Sequence, residues 1–214
     1  NESPQSAALP LTVDTAAPAA PTGVTVTDDV APVTGAIAAN GASNDNKPTF
    51  AGAAGSAEAG STITVMDGAT VLGTAVVAAD GSWSVTPTTA LADGAHSITT
   101  RATDAAGNVS PVSPALALTV DTAAPAAPAA PTSTAPSTND NTPGIHIGVG
   151  LTDTPSLYVD GVKVPATYDP VTGTLTPTTP LGDGVHQFTT TLTDAAGNES
   201  PQSAALPLTV DTAA

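Results

Sequence analysis

Residues 1–17 read NESPQSAALPLTVDTAA, and residues 198–214 read the same string. A looser copy, NVSPVSPALALTVDTAA, occupies residues 108–124. The two later copies hold the runs Leu116-x-Leu118-x-Val120 and Leu206-x-Leu208-x-Val210. Period-two alternation places one side of a strand on a core and the other in water. A segment recurring at long intervals marks a tandem array. The chain therefore reads as repeated all-β units, cut so that it starts and stops at the last strand of a unit.

Working outward, the same spacing governs the rest. Asp104-Ala-Ala-Gly-Asn108 and Asp194-Ala-Ala-Gly-Asn198 lie 90 residues apart, as do Asp93-Gly94-x-His96 and Asp183-Gly184-x-His186. Asp14 and Asp121 are 107 apart, so the first repeat carries extra residues, part of them between Val24 and Val33. The runs His96-x-Ile98-x-Thr100-x-Ala102 and His186-x-Phe188-x-Thr190-x-Leu192 alternate as strands do. Turn formers recur every eight to twelve residues, from Asn40-Gly41 through Asp67-Gly68 and Asp80-Gly81 to Gly107-Asn108. That rhythm fits a sandwich of about seven short strands. In the first repeat we place them near 33–38, 48–53, 61–66, 70–77, 82–87, 95–103 and 114–120.

The joints read Asp14-Thr-Ala-Ala-Pro-Ala-Ala-Pro21 and Asp121-Thr-Ala-Ala-Pro-Ala-Ala-Pro128. Proline fixes φ, so these linkers should be short and stiff. They divide the chain into 1–14 as the final strand of a preceding unit, 15–121 and 122–211 as two sandwiches, and 212–214 as the start of another linker. The strand at 1–14 lacks its sheet, and should be either extended and loosely held or paired with a neighbouring copy. Trp83 is expected in the first core; its 90-residue counterpart is Gly173, so Tyr158 or Tyr168 should fill the second.

Composition narrows function. There is no cysteine, which excludes disulfides and thiolate chemistry. Net charge is −16 with only Lys47, Arg101 and Lys163 as cations, a surface that repels nucleic acid and anionic lipid. No apolar stretch is long enough to enter a membrane as a helix. There is no Gly-x-Ser-x-Gly elbow, phosphate loop or dinucleotide fingerprint, so no enzyme is expected.

Asp28-Asp-Val-Ala-Pro-Val-Thr-Gly35, Asn44-Asp-Asn-Lys-Pro-Thr-Phe50, Asp80-Gly-Ser-Trp83 and Thr103-Asp-Ala-Ala-Gly-Asn108 resemble bacterial Ig-like repeats. In particular they are similar to those of the giant biofilm-associated adhesins of Gram-negative bacteria. The likeness spans the chain and is fuller over 24–121 than over 122–211. It implies tandem Ig-like β-sandwiches in an elongated array, exported by type I secretion to the cell surface, with calcium near the joints.

Calcium takes six to eight hard oxygen ligands. In an Ig-like sandwich the incoming linker meets the loop between the second and third strands and the loop between the last two. Those places carry Asp14, Glu58 and Asp104 in the first repeat, and Asp121, Asp153 and Asp194 in the second. Asn108 and Asn198 are further oxygen candidates, and Asp211 would serve a third joint. Each of these is also an ordinary turn former. Asp28 and Asp29 form a second candidate pair, set against plain solvation. Asp45 and Asp140 read as turn residues before Pro48 and Pro143, with a site at the opposite pole as the other option. Asp67, Asp80, Asp160 and Asp169 read as turns, His96 and His186 as packing residues, and His146 as facing solvent.

The expected function is a structural spacer of a cell-surface adhesin in biofilms, stiffened by calcium. Its partners are adjacent repeats of the same chain, and through other regions further copies of the adhesin or host and abiotic surfaces. The alternative is an Ig-like module that binds a glycan, a host receptor or a neighbouring adhesin copy. Sugar sites expose aromatic platforms, and this chain has only five aromatic residues for two cores.

Overall fold

The computed structural model describes residues 3–213, all strands, turns and extended segments. In the first domain the strands are β1 (Thr25–Asp28), β2 (Gly35–Ala36), β3 (Ala42–Ser43), β4 (Thr49–Gly52), β5 (Thr62–Asp67), β6 (Thr70–Val76), β7 (Trp83–Val85), β8 (Gly94–Thr103) and β9 (Leu116–Val120). They form one sheet in the order β2-β1-β4-β7 and another in the order β3-β9-β8-β5-β6. The second domain has β10 (Ser137–Thr138), β11 (Ile145–His146), β12 (Thr154–Val159), β13 (Val162–Val164), β14 (Ala166–Asp169), β15 (Thr174–Pro177), β16 (Gly184–Thr193) and β17 (Leu206–Val210). Its sheets run β10-β17-β16-β12-β13 and β11-β15-β14. Both domains are β-sandwiches, as the alternating runs predict.

The alternation sets the core directly. In β8, Ile98, Thr100 and Ala102 are buried while their neighbours are at least partly exposed; in β16 Phe188 and Thr190 are buried at the same places, but the alternation then breaks, with Thr191 buried and Leu192 only partly so. Phe50 opposes Val85, and Ile145 opposes Leu175 at the matching place in the second domain. The large ring thus moves from β4 in one domain to β16 in the other, while Ile takes the vacated position. Such volume-conserving exchange keeps a thin core filled. Trp83 is buried against the first core, and Tyr168 packs on the second with its hydroxyl donating to the Gly148 carbonyl at 2.8 Å. Tyr158 instead lies outside the core and donates to Glu199 at 2.9 Å.

Two sequence expectations need correction, and one strand is new. The segment around Val24–Asp28, read as part of an insertion, is the core strand β1: Val26 is 1% exposed and pairs with Phe50. The second domain keeps its counterpart as a single bridge between Thr132 and His146. The strand expected over 33–38 shrinks to β2, because Pro32 withholds a donor beside it and Gly35 takes φ 116°. The two-residue β3, parallel to β9, was not anticipated.

Residues 3–14 are extended, exposed and without a strand partner. Leu9, Leu11 and Val13 are 89%, 84% and 79% exposed, whereas Leu208 and Val210, in the identical segment of β17, are each 1% exposed. Residues 1, 2 and 214, at the edges of the expected first strand and last linker, lie outside the described residues.

Candidate metal centres at the domain joints

The Asp-Ala-Ala-Gly-Asn turns are self-contained cages. Asp104 Oδ1 accepts from the Ala106 and Asn108 amides at 2.9 and 2.8 Å, and Oδ2 accepts from Asn108 Nδ2 at 2.8 Å. Asp194 does the same with Ala196 and Asn198, each contact at 2.9 Å. Gly107 and Gly197 close the turns at φ 93° and 97°, a region that side-chain-bearing residues seldom enter. The hydrogen bond from the Asn108 side chain holds the Asp104 carboxyl below its ordinary range against burial, with lesser help from backbone amides.

Each Asn also reaches the linker. Asn108 Nδ2 donates to the Asp14 carbonyl at 3.1 Å, and Asn198 Nδ2 to the Asp121 carbonyl at 2.8 Å. With an acceptor on either side, the amide must present its NH2 group. Asn108 and Asn198 therefore pin the linker through Nδ2, a donor role that the sequence did not suggest.

At the first joint, Asp14, Glu58 and Asp104 line one cleft of about 380 Å³ together with Thr12, Gly60 and Ala106. The sequence triad thus converges. It does not form a ligand shell as placed: among the described residues no three acids or histidines stand close enough to hold an ion. Asp14 Oδ1 accepts from the Ala16 amide at 2.9 Å, and Glu58 is exposed.

At the central joint Asp121, Asp194 and Asn198 are joined by the hydrogen bonds above. Asp153 accepts from the Thr152 hydroxyl at 3.3 Å, and among the described residues no hydrogen bond links it to Asp121 or Asp194. Three contacts here had not been foreseen. The Asn44 amide of the first domain donates to the Ala196 carbonyl of the second at 3.0 Å. The Asp121 amide donates to the Ser43 carbonyl at 3.0 Å. Thr122 donates its amide and hydroxyl to Asp93 Oδ1 at 3.1 and 2.9 Å. The last has an echo at Thr212 and Asp183, at 2.9 and 2.8 Å, and the Asp211 amide donates to the Thr138 carbonyl at 2.9 Å. Asp93 and Thr122 were within reach of sequence, since both recur at the 90-residue spacing.

Asp28 does not face solvent: it is 7% exposed, accepting from the Val30 amide at 2.7 Å and the Ser43 hydroxyl at 2.6 Å. Asp45, 4% exposed, accepts from the Lys47 amide at 2.8 Å and the Asp29 amide at 3.4 Å. The Ser43 hydroxyl bridges them, because it also accepts from the Asp45 amide at 3.1 Å. One hydroxyl therefore links the Asp28 carboxylate to the Asp45 backbone beside the central joint, where both acids are buried, while the Asp29 side chain is exposed. Next to them Asn44 Oδ1 is buried with no donor among the described residues. Asp140 behaves as the plain turn residue expected, accepting from the Thr142 amide at 2.8 Å.

Asp67 and Asp160 are more than turn residues. Each places Oδ2 at 2.7 Å from a histidine Nδ1, His96 and His186 respectively. Their Oδ1 atoms accept from the following backbone amides, Ser97 at 3.1 Å and Gln187 at 2.8 Å. The Nε2 atoms face carbonyls, Ala92 at 2.8 Å and Gly182 at 2.9 Å. For His96, burial pulls the imidazole pKa down, and the bonds to Asp67 and Ala92 outweigh it to give a net rise. For His186 the Asp160 hydrogen bond leads the rise. His146 is exposed, as expected.

A family profile described as "Bacterial Ig-like domain" matches residues 20–122 and 130–212. No curated protein matches the chain in sequence. Among solved structures, the fibronectin(III)-like modules of Clostridium thermocellum CbhA overlay with a TM-score of 0.52 at 15% identity, covering 87% of this chain and 94% of that one. That likeness shows the fold. A 1.5-MDa bacterial ice-binding adhesin gives 0.38 at 22% identity, covering 78% of this chain and 57% of that one. A tetra-tandem repeat from the extending region of a large adhesion protein gives 0.30 at 21%, covering 92% and 50%. Overlays as distant as these last two carry no argument about function.

Proposed function

The chain belongs to the bacterial Ig-like domain family, and from that premise we propose that its two domains are stiff spacer units of a cell-surface adhesin, supporting attachment and biofilm cohesion. The observation that carries this reading is the repeated linker clamp. The carbonyl of the linker Asp is held by an Asn of the following domain, twice, and the linker Thr by an Asp of the preceding domain, twice. A binding module needs one good surface. A spacer needs the same joint at every boundary, and these joints recur in detail.

Calcium is the cation we assign to the joints. The donor set suits it: Asp14, Glu58 and Asp104 around one cleft, and Asp121, Asp153 and Asp194 at the equivalent place. Beside the central joint Asp28, Asp45 and the undonated Asn44 Oδ1 offer a second group of hard oxygens. A bound ion would supply the positive charge that a chain of net charge −16 lacks where its acids crowd. Glu58, exposed at the rim of the first cleft, is able to swing toward it. The protein's own work is to hold the linker at a fixed angle, through the Asn pins and the backbone bonds at Ser43 and Ala196.

Solution scattering on the chain with and without calcium tests the proposal. We expect a narrower distribution of interdomain angles and a higher melting temperature with calcium, since an ion that binds only the folded state stabilises it. Scattering and melting that ignore both calcium and chelator would remove calcium from the reading. Asp121→Ala should loosen the central joint with both sandwiches still folded.

A further inference from the structure

His96 and His186 each have oxygen acceptors on both ring nitrogens, a carboxylate at Nδ1 and a carbonyl at Nε2. A neutral imidazole carries one N–H and can satisfy only one of them. The doubly protonated ring satisfies both. The loop that supplies the carbonyl also supplies the linker clamp: Ala92 is followed by Asp93, which holds Thr122, and Gly182 by Asp183, which holds Thr212.

The geometry points to a proton-operated latch on each outgoing linker. With both nitrogens protonated, His96 ties the Ala92–Asp93 loop to the β5–β6 turn, and the loop in turn grips Thr122. When one proton leaves, Asp67 retains the remaining N–H, because a carboxylate is the stronger acceptor. The Ala92 carbonyl then faces a lone pair, and the loop with its Asp93 clamp slackens. His186, Gly182, Asp183 and Thr212 repeat the device.

The groups facing the ring are few. From the β5–β6 turn comes Asp67, whose charge acts on His96; Asp93 stands in the same loop; and Leu118 of β9, apolar, is the register partner. For His186 they are Asp160, Asp183 and Leu208. Both imidazoles have pKa values raised above the free value of 6.5. Their contribution is therefore complete below that value and fades as pH rises through the folded pKa. Joints should be firmest in mildly acidic surroundings and softer on the alkaline side.

The test is NMR on the full chain from about pH 5.5 to about pH 9, the window in which histidine changes charge. Ring carbons and nitrogens report His96 and His186, and the Thr122 and Thr212 methyl groups report the linkers. We expect the Thr122 methyl to titrate with the His96 midpoint and Thr212 with that of His186. His96→Gln should abolish the Thr122 response and leave that of Thr212. Asp67→Asn removes the carboxylate with little change of shape, and should lower the His96 and Thr122 midpoints together. It stands in if His96→Gln fails to fold. A Thr122 methyl that ignores the His96 titration, or that still titrates in His96→Gln, would overturn the latch.

Discussion

Replacing Asn198 by Ala severs the central joint at one side chain. Asn198 is 8% exposed, and its Nδ2 donates to Asp194 Oδ2 at 2.9 Å and to the Asp121 carbonyl at 2.8 Å. A bond to a neutral carbonyl is worth about 1 kcal/mol, and one to a carboxylate about 1.5–3 kcal/mol. Their sum is near 3 kcal/mol, but water can reach the half-exposed Asp194 once the amide is gone. We expect a net loss of about 2 kcal/mol. For a domain of this size that lowers the melting temperature by roughly 8–16 °C. The assay separates the domains optically. The single tryptophan, Trp83, is buried in the first domain, while Tyr158 and Tyr168 lie in the second. Selective tryptophan excitation should show the first domain melting nearly as in the parent, with the tyrosine signal falling earlier. Asn108→Ala should reverse the pattern. Equal shifts of both signals, or no shift in the tyrosine signal, would refute the assignment of Asn198 as the pin of its own domain to the linker.

Leu208→Ala empties a position 1% exposed in β17 and should cost about 2–5 kcal/mol, melting the second domain while Trp83 fluorescence stays native. At Gly52 an added Cβ would press on the Trp83 indole and the Ser56 hydroxyl, so Gly52→Ala should cost about 1–3 kcal/mol and shift the Trp83 emission. The Glu199 carboxyl is held below its ordinary 4.5 first by the Thr191 hydroxyl and then by Tyr158 and Lys163, against burial. Its stabilisation is present above that value and fades as pH falls through the folded pKa, a loss that urea midpoints should show and that Glu199→Gln should abolish.

Much of the fold was legible because the long strands carry clean alternation. Ile98, Thr100 and Ala102, and Phe188 and Thr190, fall on the core side as their spacing demands. What escaped was short or non-local. Val24 and Val26 lie between Gly23 and the Asp28-Asp29 pair, so four residues of true strand looked like part of an insertion. Two-residue strands such as Ala42–Ser43 have no period to read. The acids at the first joint were found because the pattern recurs and the chain brings Asp14, Glu58 and Asp104 to one cleft. Asp67 was passed over because Asp-Gly is sufficient reason for a turn, and nothing local says that its carboxylate lies under a histidine 29 residues on. The paired recurrence of His96 with His186, and of Asp67-Gly68 with Asp160-Gly161, was the available signal.

At the central joint very little chain separates the two grips. The amide of Asp121 is bound by the Ser43 carbonyl in the first domain, and the carbonyl of the same residue by Asn198 in the second. Thr122, next in line, is bound back to Asp93 in the first domain. A hinge needs at least one pair of free dihedrals between its anchors. Here a single residue is anchored at both its N–H and its C=O, so rotation about its φ or ψ must break a hydrogen bond on one side. The Asn44–Ala196 bond adds a second point of contact off the linker, which resists bending about the first. The Asp14 carbonyl meets Asn108 as Asp121 meets Asn198, and the Asp211 amide meets Thr138 as Asp121 meets Ser43. Every boundary in the chain thus has one or both halves of the same anchor. At the central joint the direction is set by hydrogen bonds on the Asp121 backbone, its N–H donating to Ser43 on one side and its C=O accepting from Asn198 on the other.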